Sequence, residues 1–295
     1  MTRIAILQLG KSTNVASVRN SAPAIIENMG YEREVAAAKA VAEEAGRLAG
    51  EFQKRGVTAE LKVDESPVTA ADRACEKLIV ETLLREFPND GILGEEGSCR
   101  DGASGRKWII DPIDGTRDFV RGIPLWAVLI GLEDRGEVVA GAACCPQQGS
   151  LVWASKGEGT WWNGKRCHVS DRTNPSQAIL SFNGFNKPGV GKMLDGLLPW
   201  VAQFGAVRGL GGAFDATLLA TGRADVWVEP NAQPWDLAAL KILVEEAGAC
   251  FGALDGSNSI YKGNAWACVP GLKPYIEKLT GMATLSAGGK AASKV

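Results

Sequence analysis

The order of patterns along this 295-residue chain predicts mixed α and β structure without an internal repeat. Three observations carry that prediction. Apolar positions recur at helical spacing from Tyr31 to Gln53, in a stretch rich in Ala, Glu, Lys and Arg. Short strand-like runs dominate the middle of the chain. In the C-terminal part strand and helix patterns alternate, which implies helices layered against a sheet.

Residues 1–30 show no clear period and read as an extension. Gly10-Lys11-Ser12-Thr13 resembles the end of a phosphate-binding loop, but Ala5 stands where that motif needs glycine. After the Tyr31–Gln53 helix, a second helix is expected from Thr69, where Thr69-Ala70-Ala71-Asp72 supplies a cap and an acidic first turn, to about Phe87. Pro88-Asn89-Asp90-Gly91 turns the chain into a short strand at Ile92-Leu93-Gly94. Further strands are expected at 107–111, 125–133, 138–144 and 151–154, with Asp134-Arg135-Gly136-Glu137 and Asn163-Gly164 as hairpin turns. Strands at 179–182, 206–208 and 224–229 then alternate with helices at 190–204, 213–221 and 235–247. The Ala-, Gly-, Ser- and Lys-rich tail beyond Thr280 is expected to be disordered.

Composition narrows the chemistry. Hydrophobic content of 45% with 22% charged residues is that of a globular chain, and a net charge of −2 gives no electrostatic reason to bind nucleic acid. No apolar run approaches the roughly 18 residues of a membrane-spanning helix. Arg3-Ile4-Ala5-Ile6-Leu7-Gln8-Leu9 is too short for a signal peptide, so a cytoplasmic location is expected. Seven scattered cysteines with no C-x-x-C pair argue against a disulfide framework and a thiolate zinc site, leaving them as small core residues. The single histidine, His168, lacks metal-ligand company and reads as structural. Catalysis therefore has to rest on carboxylates, hydroxyls and metal.

Asp111-Pro112-Ile113-Asp114-Gly115-Thr116, directly after the apolar Trp108-Ile109-Ile110, places two acids and a hydroxyl at a strand end. Carboxylates so close repel, so they either share protons or hold cations. Proline fixes the chain so that both acids and the Ile113 carbonyl can converge, the lesser alternative being that Asp114 merely caps a turn. Gly94-Glu95-Glu96-Gly97 brings two more acids between glycines. Asp236 in Pro234-Trp235-Asp236 opens a helix, where an N-cap role competes with a ligand role. Glu95, Asp111, Asp114 and Asp236 all lie at element ends, where α/β sites are commonly built.

Trp108 to Phe119, Gly94-Glu95-Glu96 and Trp235-Asp236-Leu237-Ala238-Ala239 together resemble the two signatures of the inositol monophosphatase superfamily, and Ser66 to Asp72 resembles its upstream motif. The resemblance spans about Tyr31 to Leu279. It implies a layered αβαβα sandwich of the inositol monophosphatase and fructose-1,6-bisphosphatase type, divided into an α+β metal-binding half (31–165) and an α/β half (166–280), with 281–295 as the tail. By resemblance, two or three Mg²⁺ would be held by Glu95, Asp111, the Ile113 carbonyl, Asp114 and Asp236. Asp72 and Thr116 would orient and deprotonate the attacking water, and amides around Gly115 and Thr116 would receive phosphate oxygens. Glu229 and Asp236 would meet the alcohol part of the substrate, and Lys62 matches a basic residue near the metals. The superfamily is commonly homodimeric.

Within it, Thr116 to Trp126, Leu180-Ser181-Phe182, Glu229-Pro230 and Pro234 to Leu240 are most similar to bacterial histidinol-phosphate phosphatases, enzymes of histidine biosynthesis. These tend to have Gly-Asp where this chain has Gly211-Gly212-Ala213-Phe214, and Arg208 and Asp215 are nearby candidates to compensate. The glycines at 209–212 lack the dinucleotide fingerprint. The expected partner is thus a small phosphorylated alcohol, either histidinol phosphate or an inositol, sugar or nucleotide phosphate. A catalytically silent homologue is the reading from a different class.

Overall fold

Alanines fill most of the inward face of α1 (Glu32–Arg55), where Ala38, Ala42, Ala45 and Ala49 are buried beside Val35 and Val41. Such a face packs closely against its neighbours, and acids in the first turn with Lys54 and Arg55 in the last favour the helix electrostatically. The computed structural model describes residues 30–56, 58–62, 67–186, 190 and 194–288. The N-terminal extension and its phosphate-loop-like run lie outside the described residues. From α1 the chain passes through the paired strands β1 (Glu60–Leu61) and β2 (Pro67–Val68) into α2 (Ala70–Glu86).

An eight-stranded sheet follows. Its strands are β3 (Gly91–Gly94), β4 (Cys99–Arg100), β5 (Arg106–Asp114), β6 (Ala127–Asp134), β7 (Glu137–Cys145), β8 (Ser150–Ser155), β9 (Gly159–Trp162) and β10 (Lys165–Cys167), with the short helix α3 (Thr116–Val120) between β5 and β6. Their order is β10-β9-β8-β7-β6-β5-β3-β4, antiparallel except where β3 runs parallel to β5. Both expected hairpin turns form. Arg135 and Gly136 link β6 to β7, Asn163 and Gly164 link β9 to β10, and all four have positive φ, as tight primed turns require.

The remaining chain supplies β11 (Ile179–Phe182), α4 (Leu194–Val201), β12 (Ala206–Arg208), α5 (Gly212–Ala220), β13 (Val226–Glu229), α6 (Pro234–Glu246), β14 (Cys250–Gly252), β15 (Ala265–Cys268) and α7 (Lys273–Gly288). Five strands form a second sheet in the order β12-β11-β13-β15-β14, with β12, β11 and β13 parallel. Alternate residues of the large sheet face different cores. Trp108, Ile110, Val128 and Ile130 pack with α1 and α2, whereas Ile109, Leu129, Ala143 and Val152 join a core with α5, α6 and the second sheet. Trp200 of α4 and Leu272, Ile276 and Leu279 near and on α7 belong to that same core, and the Trp200 indole donates to the Tyr275 carbonyl. The layers therefore run α1/α2, large sheet, α5/α6, small sheet, α4/α7, an αβαβα sandwich.

Two expectations need correction. The helix expected over 190–204 is described from Leu194 to Val201 and gives way to turns at 202–204, where Pro199 has removed a backbone donor from its last turn; residues 191–193 lie outside the described residues. Order does not stop at Thr280, because α7 continues to Gly288 through residues that include good helix formers. Composition had suggested a coil there, and residues 289–295 lie outside the description. The strands β14 and β15, only three and four residues long, were not read from the pattern. No described helix is long and apolar enough to cross a membrane.

α6 is buried on all sides from Leu237 to Val244, as a helix between two sheets must be. It rests directly on glycines of the large sheet. A Cβ on Gly131 would lie 2.7 Å from the Ala238 Cβ, and one on Gly141 would lie 3.0 Å from the Ala239 Cα. A Gly131→Ala substitution therefore overpacks this seam. We expect a destabilisation of about 1–3 kcal/mol in urea titrations, the usual cost of forcing atoms into a filled core. An unchanged denaturation midpoint would show that α6 has room to move.

Candidate active site

Strand pairing brings together acids that are distant in sequence. Because β3 runs parallel to β5 with Gly94 opposite Ile110, the next residues, Glu95 and Asp111, emerge side by side. The Glu95 amide donates to the Ile110 carbonyl at 3.1 Å, which fixes that alignment. The pairing of β5 with β6 shifts register between Asp111 and Asp114. Pro112 cannot donate to a ladder, so the strand bulges there and both acids turn toward one point. The Asp111 carboxylate accepts the Ile113 amide at 3.0 Å. Gly115 then takes a left-handed φ of 87°, with the Leu125 carbonyl so close that a Cβ would clash, and opens α3.

Thr116, the first residue of α3, points back under this bulge. Its hydroxyl lies 3.2 Å from Asp72 Oδ1 and 3.0 Å from the Ile113 carbonyl oxygen. Asp72 is fully buried in the first turn of α2, where its Oδ2 accepts from the Thr69 amide at 2.8 Å and the Thr69 hydroxyl at 2.6 Å. The expected capping signal thus forms, and the same carboxylate reaches Thr116.

The far wall comes from the C-terminal half. Asp236 is not the N-cap of α6, a position that Gln233 takes; it is the third residue of the helix, and its carboxylate reaches back to accept the Gln233 amide at 2.7 Å. Carboxylate oxygens of Asp111, Asp114 and Asp236 nevertheless all lie within 4.8 Å of one another. Asp114 reaches across the layers to accept the Ala213 amide at the start of α5, at 3.0 Å. β13 ends at Glu229, and its parallel neighbour β11 leads into Asn183, whose amide nitrogen donates to Glu229 at 3.2 Å. A cleft of about 380 Å³ opens between these groups, lined by Asp114, Gly115, Thr116, Asp118, Asn183, Glu229 and Asp236 among others.

Charge density makes this pocket a poor place for bare carboxylates. Burial, then the Glu95, Asp114 and Asp236 charges, hold Asp111 well above the usual carboxylate range. Burial pushes Asp114 up to about 6, with the Ala213 amide opposing and Glu95, Asp118 and Asp215 adding to the rise. Asp114 keeps some accessible surface, yet its neighbours leave little water around it. Burial likewise lifts Glu229 to about 8 despite Asn183, and raises Asp72 against the pull of its Thr69 hydrogen bonds. The carboxylate oxygens of Asp111, Asp114 and Asp236, converging on one point, suit a hard divalent cation such as Mg²⁺, which takes carboxylate and carbonyl oxygens and keeps some of its waters.

Most of the anticipated residues converge: Asp72, Glu95, Asp111, Ile113, Asp114, Gly115, Thr116, Glu229 and Asp236. Lys62 stands beside them, 2.9 Å from Glu95 and 2.7 Å from Glu96. Those carboxylates outweigh its burial and keep the ammonium charged to unusually high pH. Arg208 stands apart from this group: it ends β12 at the edge of the small sheet, exposed, with its guanidinium donating to the Val207 carbonyl. Asp215 is no substitute either, because it is fully buried and accepts the Leu210 amide at 3.1 Å. Sequence reading missed Asn183, which only the parallel pairing of β11 and β13 sets against Glu229. It also missed Glu76, whose carboxylate accepts the Glu96 and Ser98 amides at 2.7 and 2.9 Å and so shapes the loop carrying Glu95.

Comparison with known proteins agrees with this layout. The sequence model of the inositol monophosphatase family matches residues 30–284. Among curated relatives, a histidinol-phosphatase of Chlorobaculum parvum is 39% identical over 227 residues, covering 76% of this chain and 86% of its own. An inositol-1-monophosphatase of Rhizobium meliloti is 33% identical, covering 74% and 83%. Among solved structures, the extragenic suppressor protein suhB of Bartonella henselae superposes with a TM-score of 0.80 at 32% identity, covering 84% of this chain and 98% of that one.

Asp111, Asp114 and Glu229 are all held above their ordinary values, so the folded protein binds protons more tightly than the unfolded chain. Their protonation stabilises the fold fully below about pH 4 and is lost as pH rises through the raised values, near 6 for Asp114 and 8 for Glu229. Chelator-treated protein should therefore melt at lower temperature at about pH 8 than at about pH 5, and millimolar Mg²⁺ should remove most of that difference. A melting temperature that rises over this range in chelator would contradict the cluster's electrostatics.

Proposed function

Because the chain belongs to the inositol monophosphatase family, we propose that it is a Mg²⁺-dependent phosphomonoesterase that hydrolyses L-histidinol phosphate to histidinol and phosphate. Family membership with phosphatase relatives makes it a phosphoric monoester hydrolase. The observation that carries the reading is the acid-rich cleft, in which Asp111, Asp114 and Asp236 converge while Glu229 and Asp118 add further carboxylates along the wall. Cations held by the first three, together with the ammonium group of a bound amino alcohol, would favour the ionised form of Glu229 over the protonated form that burial favours, so that Glu229 and Asp118 suit a leaving alcohol bearing such a group. Similarity to a histidinol-phosphatase supports the same choice.

In this proposal Glu95, Asp111, the Ile113 carbonyl, Asp114 and Asp236 hold Mg²⁺, which when bound offsets phosphate charge, acidifies water and stabilises the leaving oxygen. The chain's own groups then act as follows. Thr116 Oγ1 accepts the proton of the attacking water as its own hydrogen moves to Asp72 Oδ1, 3.2 Å away. Burial, which raises the proton affinity of Asp72, suits it to that role. Amides at Gly115 and Thr116 receive phosphate oxygens. Glu229, held by Asn183, orients the amino-alcohol end together with Asp236. The enzyme would act as a cytoplasmic homodimer in histidine biosynthesis.

Inositol 1-phosphate is the second reading. The Rhizobium meliloti relative favours it, as does the lack of an acid in Gly211-Gly212-Ala213-Phe214, which the inward-turned Asp215 does not replace.

Asp114→Asn or Asp236→Asn should lower Mg²⁺-dependent turnover by about 100-fold or more, the scale on which preorganised charge-stabilising groups act. Full activity in either variant would refute the ligand assignment. Phosphate release should be compared on histidinol phosphate, inositol 1-phosphate and 3′-phosphoadenosine 5′-phosphate. A higher kcat/KM on either of the latter would displace histidinol phosphate as the substrate. Glu229→Gln should raise KM for histidinol phosphate by about 10-fold, the worth of one charge-assisted contact, with a smaller change for inositol 1-phosphate. Equal losses on both substrates would mean that Glu229 does not read the ammonium group.

A further inference from the structure

Cys250 and Cys268 are 18 positions apart in sequence but directly opposite each other in the small sheet, paired across β14 and β15. Residues opposed in an antiparallel pair project from the same face with Cβ atoms about 4.5–5.5 Å apart. A disulfide needs about 3.5–4.5 Å, so a small approach of one strand is enough. β14 can make it, being three residues long and at the sheet edge with β15 as its only strand neighbour among the described residues. The two thiols already lie within interaction range. No other thiol has such a partner: Cys144 stands opposite Leu151, Cys145 opposite Ser150, Cys167 opposite Thr160 and Cys99 opposite Leu93, while Cys75 is buried on α2.

The two sulfurs differ in access. Cys250 keeps part of its surface in solvent, whereas Cys268 is fully buried. Burial raises the Cys268 thiol well above its usual range and keeps it protonated, so it is not the first to react. We propose that Cys250 and Cys268 form an oxidisable pair that closes to an intramolecular disulfide when a peroxide reaches Cys250.

In the first step the Cys250 sulfur attacks one peroxide oxygen, the O–O bond breaks, and the thiol proton leaves with the other oxygen as water. Cys250 is then a sulfenic acid. The Cys268 sulfur displaces its hydroxyl, the S–S bond forms, and the Cys268 proton leaves with that hydroxyl as a second water. The sulfurs together give up two electrons, and both peroxide oxygens end in water.

The site lies at the sheet end remote from the cleft. Cys268 is paired to Val226 at the start of β13, and Glu229 is paired to Ala265 at the other end of β15. The bond would therefore staple β14 to β15 without reaching the phosphate site. Closing the intervening loop should also restrict the unfolded chain and raise stability. The inference does not depend on the choice of substrate.

Full-length protein with Cys99→Ser, which removes the exposed thiol, should be treated with hydrogen peroxide, alkylated and peptide-mapped. The expected product is a linked Cys250–Cys268 peptide, lighter by two hydrogens and restored by dithiothreitol. The melting temperature should rise by about 5 °C, with turnover kept within about twofold. Cys250→Ser, at a half-exposed position, should give neither the mass change nor the thermal shift. In Cys268→Ser the Cys250 sulfenic acid should persist long enough to be captured by dimedone. Recovery of Cys250 as a sulfinic acid in the parent, its linkage to another cysteine, or the same mass loss in Cys250→Ser would each overturn the proposal.

Discussion

A hydrogen bond from a backbone amide to one carboxylate oxygen recurs at almost every acid of the cluster, and the geometry of the cleft depends on it. Asp72 takes the Thr69 amide, Asp111 that of Ile113, Asp114 that of Ala213 and Asp236 that of Gln233. Each such bond fixes the side chain and partly offsets its charge, in a pocket where like charges would otherwise drive the acids apart. Capping and cation binding therefore do not compete here. One carboxylate oxygen is anchored to the backbone, and the anchored group is thereby presented to its neighbours in a defined orientation. Such preorganisation is what an electrostatic active site requires, since groups aimed in advance need not reorganise during reaction.

These anchors work only if the layers carrying them are held at fixed separations. Asp236 sits in the first turn of a helix pressed onto two glycines of the large sheet, and Asp114 reaches from that sheet to the start of α5. The middle layer thus sets the width of the cleft. Small residues line the seam on both sides, Gly131 and Gly141 against Ala238 and Ala239, because any larger side chain would lift Asp236 away from Asp111 and Asp114. Core packing and site chemistry share one constraint at this seam.

Features that a short sequence window encodes were legible before the structure. Thr69 to Asp72 announces a capped helix, Asp111 to Thr116 announces an acidic strand end, and Asn163-Gly164 announces a hairpin, because in each the physical cause lies within a few residues. The five-layer arrangement followed from resemblance and not from periodicity. Strands as short as β14 and β15 contain too few residues for alternation to register. The tail misled for a related reason: Ala, Gly and Ser suggest coil by composition, while α7 extends through them from a buried beginning at Leu272 and Ile276.

The alcohol end of the cleft was the least legible part, and sheet topology explains why. Asn183 and Glu229 are 46 positions apart and meet because β11 and β13 are parallel neighbours whose ends coincide. Nothing local to either residue signals the other. Arg208 was drawn in by its closeness in sequence to the glycines at 209–212, yet β12 lies on the far side of β11 from β13, which puts its end one strand further from Glu229. Residues that hold the phosphate and metal belong to compact motifs because those partners are small and common to the family. Residues that distinguish one alcohol from another are gathered from the ends of separate strands, so their identity depends on strand order before it depends on any motif.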